Sequence, residues 1–286
     1  MRSERAGPIY PERSVRQIIR TNLRATWARA YVRIVGGNRE PSWLISEILL
    51  PLLSVAAYIY VYRHLGGTEE YTGFVLLGGM MTAYWLNILW SMAMQFYWEK
   101  EMGNLDLYLM SPISRMSILM GMALGGLFMT TVRAVAILGI GGLLFQVEFQ
   151  VSSWGLLILA FVLSLGALYG MGMIFSSLFM VFGRGGWRGA EVLQEPVYLL
   201  SGFYFPLQRF GFAVSAIASL IPVAIGLDAI RQLAIPGGAG LGIFSVNTEL
   251  LFLLLLVVLF AVIARRALTT MEALGKKEGR LSLRWQ

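Results

Sequence analysis

The chain has 286 residues, 57% of them hydrophobic and only 14% charged, with a net charge of +7. Globular domains in water carry roughly 25% charged residues, so this is the composition of an integral membrane protein. With no cysteine and one histidine, disulfides, thiolate catalysis and cysteine or histidine metal centres are excluded, and no catalytic or metal residue is expected.

The positive charge is gathered at the two ends. Nine Arg and three Glu fall within residues 1–40, and six Lys/Arg against two Glu within 265–286. Both termini are therefore expected in the cytoplasm, with anionic lipid headgroups rather than nucleic acid as the neighbours of that charge. No apolar run precedes Trp43, so no secretory signal is expected, although the Arg-rich start also has the composition of an organelle transit peptide.

The first element is a helix over residues 14–35. Val15, Ile18, Ile19, Leu23, Trp27, Ala30, Tyr31 and Ile34 recur at three- and four-residue steps, and Arg13, Arg16, Arg20 and Arg24 follow the same steps on another face. A basic helix with Trp and Tyr on its apolar side lies in the membrane interface. Gly36 and Gly37 end it, and Pro41 opens the first span.

A membrane crossing needs about 20 mostly apolar residues. The candidates are 43–62, 72–97, 117–145, 154–182, an interrupted stretch near 187–208, and 246–264. His64, beside Gly66 and Gly67, reads as a solvated loop residue. Counting residues 210–227 as a further span would place the basic tail outside, against its charge, so six spans are expected. Under that count 19 of the 23 Lys/Arg are cytoplasmic. Residues 206–231 then form a re-entrant extracellular segment, broken at Pro206, Gly211, Pro222 and Gly226 and packed against protein. The fold class is an all-α membrane protein: six transmembrane helices, an N-terminal amphipathic interfacial helix and this re-entrant segment before the last span. The divisions are 1–40, 41–265 and a basic tail, 266–286.

The polar strip 98–116 joins the second and third spans. Leu105, Tyr108 and Leu109 fall at helical steps, and Ser111-Pro112 stops the turn. A short helix showing Leu and Tyr outside the bilayer needs a cover, either the membrane surface or a soluble subunit.

Ionisable groups in hydrocarbon cost at least about 2.5–3.5 kcal/mol each at a helix centre. Glu47, Arg133, Glu191 and Glu195 should therefore face protein or a wet path. Glu47 is expected to pair with Arg184 or Arg188, and Glu195 to line the path or pair with Arg133. Gly121-x-x-x-Gly125 and Gly166-x-x-x-Gly170 suit close helix packing. Met173, Phe175, Phe179 and Met180, with Tyr198, Phe203 and Phe205, form either ordinary packing or an adaptable apolar lining.

Two motifs resemble those of a known family. Glu101-x-Gly103-Asn104-Leu105-x-x-x-Leu109-x-Ser111-Pro112 is similar to the E-x-G-(T/N)-L … (S/T)-P strip of ABC-2 type transporter permeases. Ser201-Gly202-Phe203-Tyr204-Phe205-Pro206-Leu207, then Ile221-Pro222 and Leu227-Asp228-Ala229-Ile230-Arg231, is similar to their SG-x-x-FPL … P … D-x-x-R region. Phe212 stands where drug-exporting relatives often carry Pro.

The resemblance implies that residues 98–116 hold a coupling helix for an ATP-binding subunit, with Glu101, Gly103, Leu105, Asp106, Leu109, Ser111 and Pro112 as the coupling residues. It implies two copies of that subunit, a second permease, identical or paralogous, and contact of the N-terminal helix with the ATPase. The host is expected to be a prokaryotic inner membrane. No G-x-x-x-x-G-K-(S/T) phosphate loop occurs, so ATP and Mg are expected in the partner and no cofactor in this chain. Glu47, Arg133, Glu195, Phe203 and Phe205 are the candidates for the path or gate, and the cargo is expected to be a hydrophobic or amphipathic molecule such as a drug, a lipid or a lipid-linked compound. The alternative is an ion-coupled secondary transporter or channel, but broken segments occur in the second half alone, without the paired repeat such proteins carry.

Overall fold

The computed structural model describes residues 14–37, 41–66, 70–181 and 185–277. Residues 1–13, 38–40, 67–69, 182–184 (Arg184 among them) and 278–286 lie outside the described residues, and the expectations placed on them stay untouched. Among the described residues the chain is helical, without strands.

The helices are α1 (Val15–Gly37), α2 (Pro41–His64), α3 (Glu70–Leu86), α4 (Gln95–Glu101), α5 (Leu105–Met110), α6 (Arg115–Phe145), α7 (Trp154–Val181), α8 (Gly185–Leu200), α9 (Phe212–Ala218), α10 (Pro222–Ala234) and α11 (Val246–Lys277). A π-helical stretch, Asn87–Ala93, joins α3 to α4, so the two form one long rod with a widened turn in its middle.

Among the described residues, five stretches are long and apolar enough to cross a membrane: Leu44–His64, Tyr71–Glu101, Arg115–Phe145, Trp154–Phe179 and Val246–Gly275. The α3–α4 rod is almost wholly enclosed, whereas α2 and α11 turn most of their apolar surface outward. This inversion is expected of helices solvated by lipid, where apolar side chains lose nothing by facing out. The stretch expected as another span is α8, which has 16 residues and Pro196 inside it, and it is not among the five.

Two ends of the bundle are tied by polar contacts. At one end Arg115, opening α6, pairs with Glu272 near the end of α11 at 2.8 Å. At the other end the α6–α7 link hangs on the end of α10, with Gln150 N–H donating to the Ala234 carbonyl at 3.0 Å and Ser152 N–H to that of Leu233 at 2.9 Å. Arg63, ending α2, donates to the Phe145 carbonyl at 3.1 Å.

Both small-residue pairs have partners. Added Cβ atoms at Gly121 and Gly125 would lie 2.5 and 2.9 Å from the Thr26 and Ala30 carbonyl oxygens, so α6 uses them to seat α1 against its backbone. Gly166 and Gly170 face Val257 and Phe260 of α11, at 3.3 and 3.0 Å from an added Cβ. The first pair thus holds the N-terminal helix, not another span.

The 206–231 stretch divides into a 3-10 turn, Leu207–Phe210, then α9 and α10. Gly211, with φ of 85°, and Pro222, at the start of α10, are breaks as expected. Gly226 is not. It lies inside α10, where its missing side chain lets α10 close on Ser164 of α7. Nearly every residue of α10 is buried.

Candidate functional site

The strip 98–116 is built around a residue that its motif does not include. Glu99 is buried on the inner face of α4. Its carboxylate pairs with Arg29 of α1, and accepts from Gln95 Nε2 at 2.7 Å and Asn104 Nδ2 at 3.2 Å. Its backbone carbonyl accepts from Asn104 N–H at 2.8 Å. These bonds fold the chain back through Gly103, whose φ of 76° suits glycine alone. Arg29 also lies 5.8 Å over the Tyr108 ring, and burial raises the Tyr108 phenol above its ordinary value. Further along, Asn22 of α1 accepts from Ser114 N–H at 2.9 Å, and Thr26 donates to the Ser117 carbonyl at 3.0 Å. α1 therefore braces both ends of the loop.

The coupling candidates separate into two sets. Leu105 is buried in a small cluster with Phe96, Ile118, Leu119, Met122 and Leu268, so it anchors α5 to the bundle. Glu101 and Pro112 are exposed, Ser111 is half-buried, and the Ser111 hydroxyl accepts from Ile113 N–H at 3.3 Å. Asp106 and Leu109 fall within α5. Among the described side chains of the strip, the most exposed large apolar ones are Met102, Leu107 and Met110, which the helical spacing of Leu105 and Leu109 does not single out.

The expected pairing of intramembrane charges is rearranged. Glu47 of α2 pairs with Arg133 of α6, where Arg184 or Arg188 was expected as its partner. The physical reason is the α2–α6 packing, which brings one turn inside α2 level with the middle of α6. Glu191 and Glu195 are exposed on α8.

The Glu47–Arg133 pair lies in the wall of a cavity of about 730 Å³, between α1, α2, α6 and the π-helical turn, together with Arg33, Asn87, Trp90 and Trp98. Burial pulls the Arg33 guanidinium below its ordinary value. A second cavity, of about 520 Å³, shares Leu50, Pro51 and Leu86 with the first and continues past Tyr58, Tyr198 and Phe205 to Tyr204, with Glu195 in its wall. Pro51, which cannot donate to the helix ladder, marks the junction. Trp90 Nε1–H donates to Gln194 Oε1 at 2.8 Å and ties α8 across the π-helical turn.

Of the remaining path candidates, Phe203 is fully buried, edge-on to Tyr198 at 5.6 Å between centroids. Phe175 and Phe179 stack on each other at 6.2 Å and pack with Met173 against the core, outside both cavities. The two halves of the late motif meet through Arg231, which donates to the Gly202 and Phe203 carbonyls, each at 2.7 Å, and to Phe74 O at 2.8 Å. Two further acids are buried, Asp228 of the late motif and Glu249, which no motif includes. Asp228 accepts from Ile243 N–H at 2.5 Å, and Glu249 accepts from Gln232 Nε2 at 3.0 Å. Asn87 is a polar residue inside the apolar run 72–97, and Glu249 a carboxylate at the start of the last one, signals that were legible.

These features define a multi-pass helical membrane protein with a braced connecting loop and a charged cavity between α1, α2, α6 and the π-helical turn. The model of the ABC-2 type transporter family matches residues 21–235, and the chain belongs to that family. It is similar to the probable multidrug ABC transporter permease YbhR of Escherichia coli K12, with 29% identity over 135 residues, 47% of this chain. YbhR of E. coli O157:H7 matches to the same extent. The match spans 36% of the relatives' own length. The ABC-2 membrane domain is a permease subunit and not itself an ATPase.

Proposed function

We propose that the chain is the membrane-spanning half of an ATP-driven exporter. It works beside a second permease, identical or paralogous, and with two copies of a separate ATP-binding subunit that holds ATP and Mg. The host is a prokaryotic inner membrane, with both termini in the cytoplasm. The observation that carries the reading is the form of the 98–116 loop. Met102, Leu107 and Met110 face outward on a frame that Glu99 and Leu105 fix to the bundle, which suits a surface that must take a push without yielding.

The contacts behind α5 supply a route for that push. Leu105 bears on Phe96 of α4 and on Leu119 of α6. α4 continues into the π-helical turn that lines the charged cavity, so a shift of α5 is passed along the rod to the cavity wall. Arg115–Glu272 carries it to α11 as well.

Chain parity supports six crossings with both termini on one side. α7 ends on the side where α6 begins, and α11 must start on the opposite side to finish beside Arg115. The stretch 185–205 therefore makes a net crossing, and α8 with its 16 residues spans about 24 Å at 1.5 Å per residue. The irregular Ser201–Phe205 stretch completes the distance, and Arg231 satisfies its carbonyls, as irregular backbone at that depth requires. The cargo is a hydrophobic or amphipathic molecule, which suits the tyrosines and Trp90 of the two cavities.

The test is purification from native membranes in mild detergent, with vanadate-sensitive ATP hydrolysis as the readout. Wild type is expected to bring down an ATP-hydrolysing subunit. Leu107→Asp with Met110→Asp is expected to lose it while keeping its elution profile. A wild-type preparation that never hydrolyses ATP would sink the reading.

A further inference from the structure

The charged cavity carries more positive than negative charge. Arg33 and Arg133 face it with Glu47 as the one carboxylate among its described lining residues. Glu47 is committed to Arg133. Arg33 donates from Nη1 to the neutral Gln95 Oε1, at 3.5 Å. Arg133 is nine-tenths buried, and its Nε–H finds no acceptor among the described residues. A half-buried guanidinium with no direct ion pair among the described residues, its nearest carboxylate Glu47 being bound to Arg133, and a buried unpaired N–H are both costly. A site that keeps both beside open space is organised to receive an oxyanion, since guanidinium donors match carboxylate and phosphate oxygens.

The rest of the wall is apolar. Leu50, Leu86, Trp90 and Met129 line it, and the shared residues Leu50, Pro51 and Leu86 lead on into the second, tyrosine-lined cavity. Charge sits at the α1 end and apolar surface runs along α2. That is the layout of an amphiphile with its head at Arg33 and its chain toward Tyr58. The 730 Å³ volume falls within the usual ligand range of about 300–1,000 Å³.

We propose that this cavity selects an amphiphile with an anionic, oxyanion-bearing headgroup, held between Arg33 and the free edge of Arg133, over neutral and cationic amphiphiles. Glu47 holds Arg133 in place and lowers the net charge of the site. This assignment rests on the permease reading and adds to it the sign of the cargo's head.

Tryptophan quenching by bromine tests it. The purified complex is titrated in neutral micelles with a phosphatidic acid carrying brominated chains, with brominated phosphatidylcholine and with inorganic phosphate as competitor. The anionic lipid is expected to quench a saturable fraction about ten-fold more tightly than the zwitterionic one. Arg33→Gln, which leaves the Glu47–Arg133 pair intact, is expected to bring the two lipids within about two-fold. Glu47→Gln, which raises the net positive charge, is expected to tighten the anionic lipid several-fold, an increase that a merely structural role would not give. Competition by inorganic phosphate marks the headgroup as the recognised part, whereas its absence together with no lipid preference overturns the proposal.

Arg24→Gln, an exposed change on the same helix, is the control. If it abolishes the preference as fully as Arg33→Gln, the signal comes from the surface and the proposal falls. Equal affinity for both lipids in wild type overturns it too. Vanadate-sensitive ATP hydrolysis in the same preparation reads the permease assignment separately. A complex that hydrolyses ATP without an Arg33-dependent preference refutes the headgroup and leaves the permease standing.

Discussion

Arg231 donates to the carbonyl oxygen of Phe203 at 2.7 Å, across 28 residues of chain. The same guanidinium reaches Gly202 O and Phe74 O and lies over the Phe74 ring. It is the hub on which the irregular Ser201–Phe205 stretch rests against α3. An ammonium carries its three donors on one nitrogen, whereas Arg231 reaches these carbonyls from Nε, Nη1 and Nη2, set apart in one rigid plane. Each hydrogen bond to a charged group contributes roughly 1.5–3 kcal/mol, so Arg231→Lys is expected to cost about 3 kcal/mol or more. Thermal melting of the detergent-purified protein checks this, and a Lys variant melting with wild type would show that the carbonyls have another donor.

The Arg29–Glu99 pair should behave asymmetrically. The Glu99 side chain is 6% exposed and that of Arg29 24%. Removing Arg29 strands a buried carboxylate, whereas removing Glu99 leaves a cation that can reach water. Arg29→Met is therefore expected to destabilise more than Glu99→Gln, with a coupling of about 1–3 kcal/mol in the double-mutant cycle. Hydrogen exchange over residues 99–112 should rise in both single variants. Unchanged exchange in both would mean that the loop is held by other contacts.

Gly121→Leu should detach α1 from α6. Even a Cβ there would lie 2.5 Å from the Thr26 carbonyl and 2.8 Å from Arg29 Cβ, and neither backbone nor Cβ can step aside. Limited trypsin digestion reads the outcome, because α1 carries Arg16, Arg20 and Arg24 on exposed positions. Cleavage there is expected to accelerate several-fold while the rest of the chain stays protected. Wild-type digestion kinetics would contradict the close approach.

A size swap tests the α7–α10 seam. Gly226→Ala would press on the Ser164 side chain, whose Cβ lies 2.5 Å from the added atom, while Ser164 Cα lies at 3.4 Å. Overpacking of this kind costs about 1–3 kcal/mol. Ser164→Gly in the same chain clears the side chain and leaves ordinary contact, so the double variant is expected to recover most of the lost melting temperature. No recovery would place the strain elsewhere.

Some of this was legible from residues alone, because it depends on local periodicity and on bulk transfer energy. The apolar runs give the long helices, the Arg-rich repeat gives α1, and Ser111-Pro112 ends α5 because the residue before proline is pushed out of the helical region. The two family-like motifs could be read in order without knowing that Arg231 joins the parts of the second one.

What the sequence by itself determined is the membrane setting, the helical class and the place of the connecting loop, since backbone in lipid is satisfied in helices or closed barrels and continuous apolar runs of about 20 residues fit only the helix. Tertiary structure alone decided the pairings. Glu47 meets Arg133, Glu99 meets Arg29, and Leu105 turns inward while Leu107 and Met110 turn out. Which charge finds which depends on how far one helix is rotated and shifted against another. Interlocking of small residues such as Gly121 and Gly226 with distant backbone sets that shift, and no local pattern encodes it.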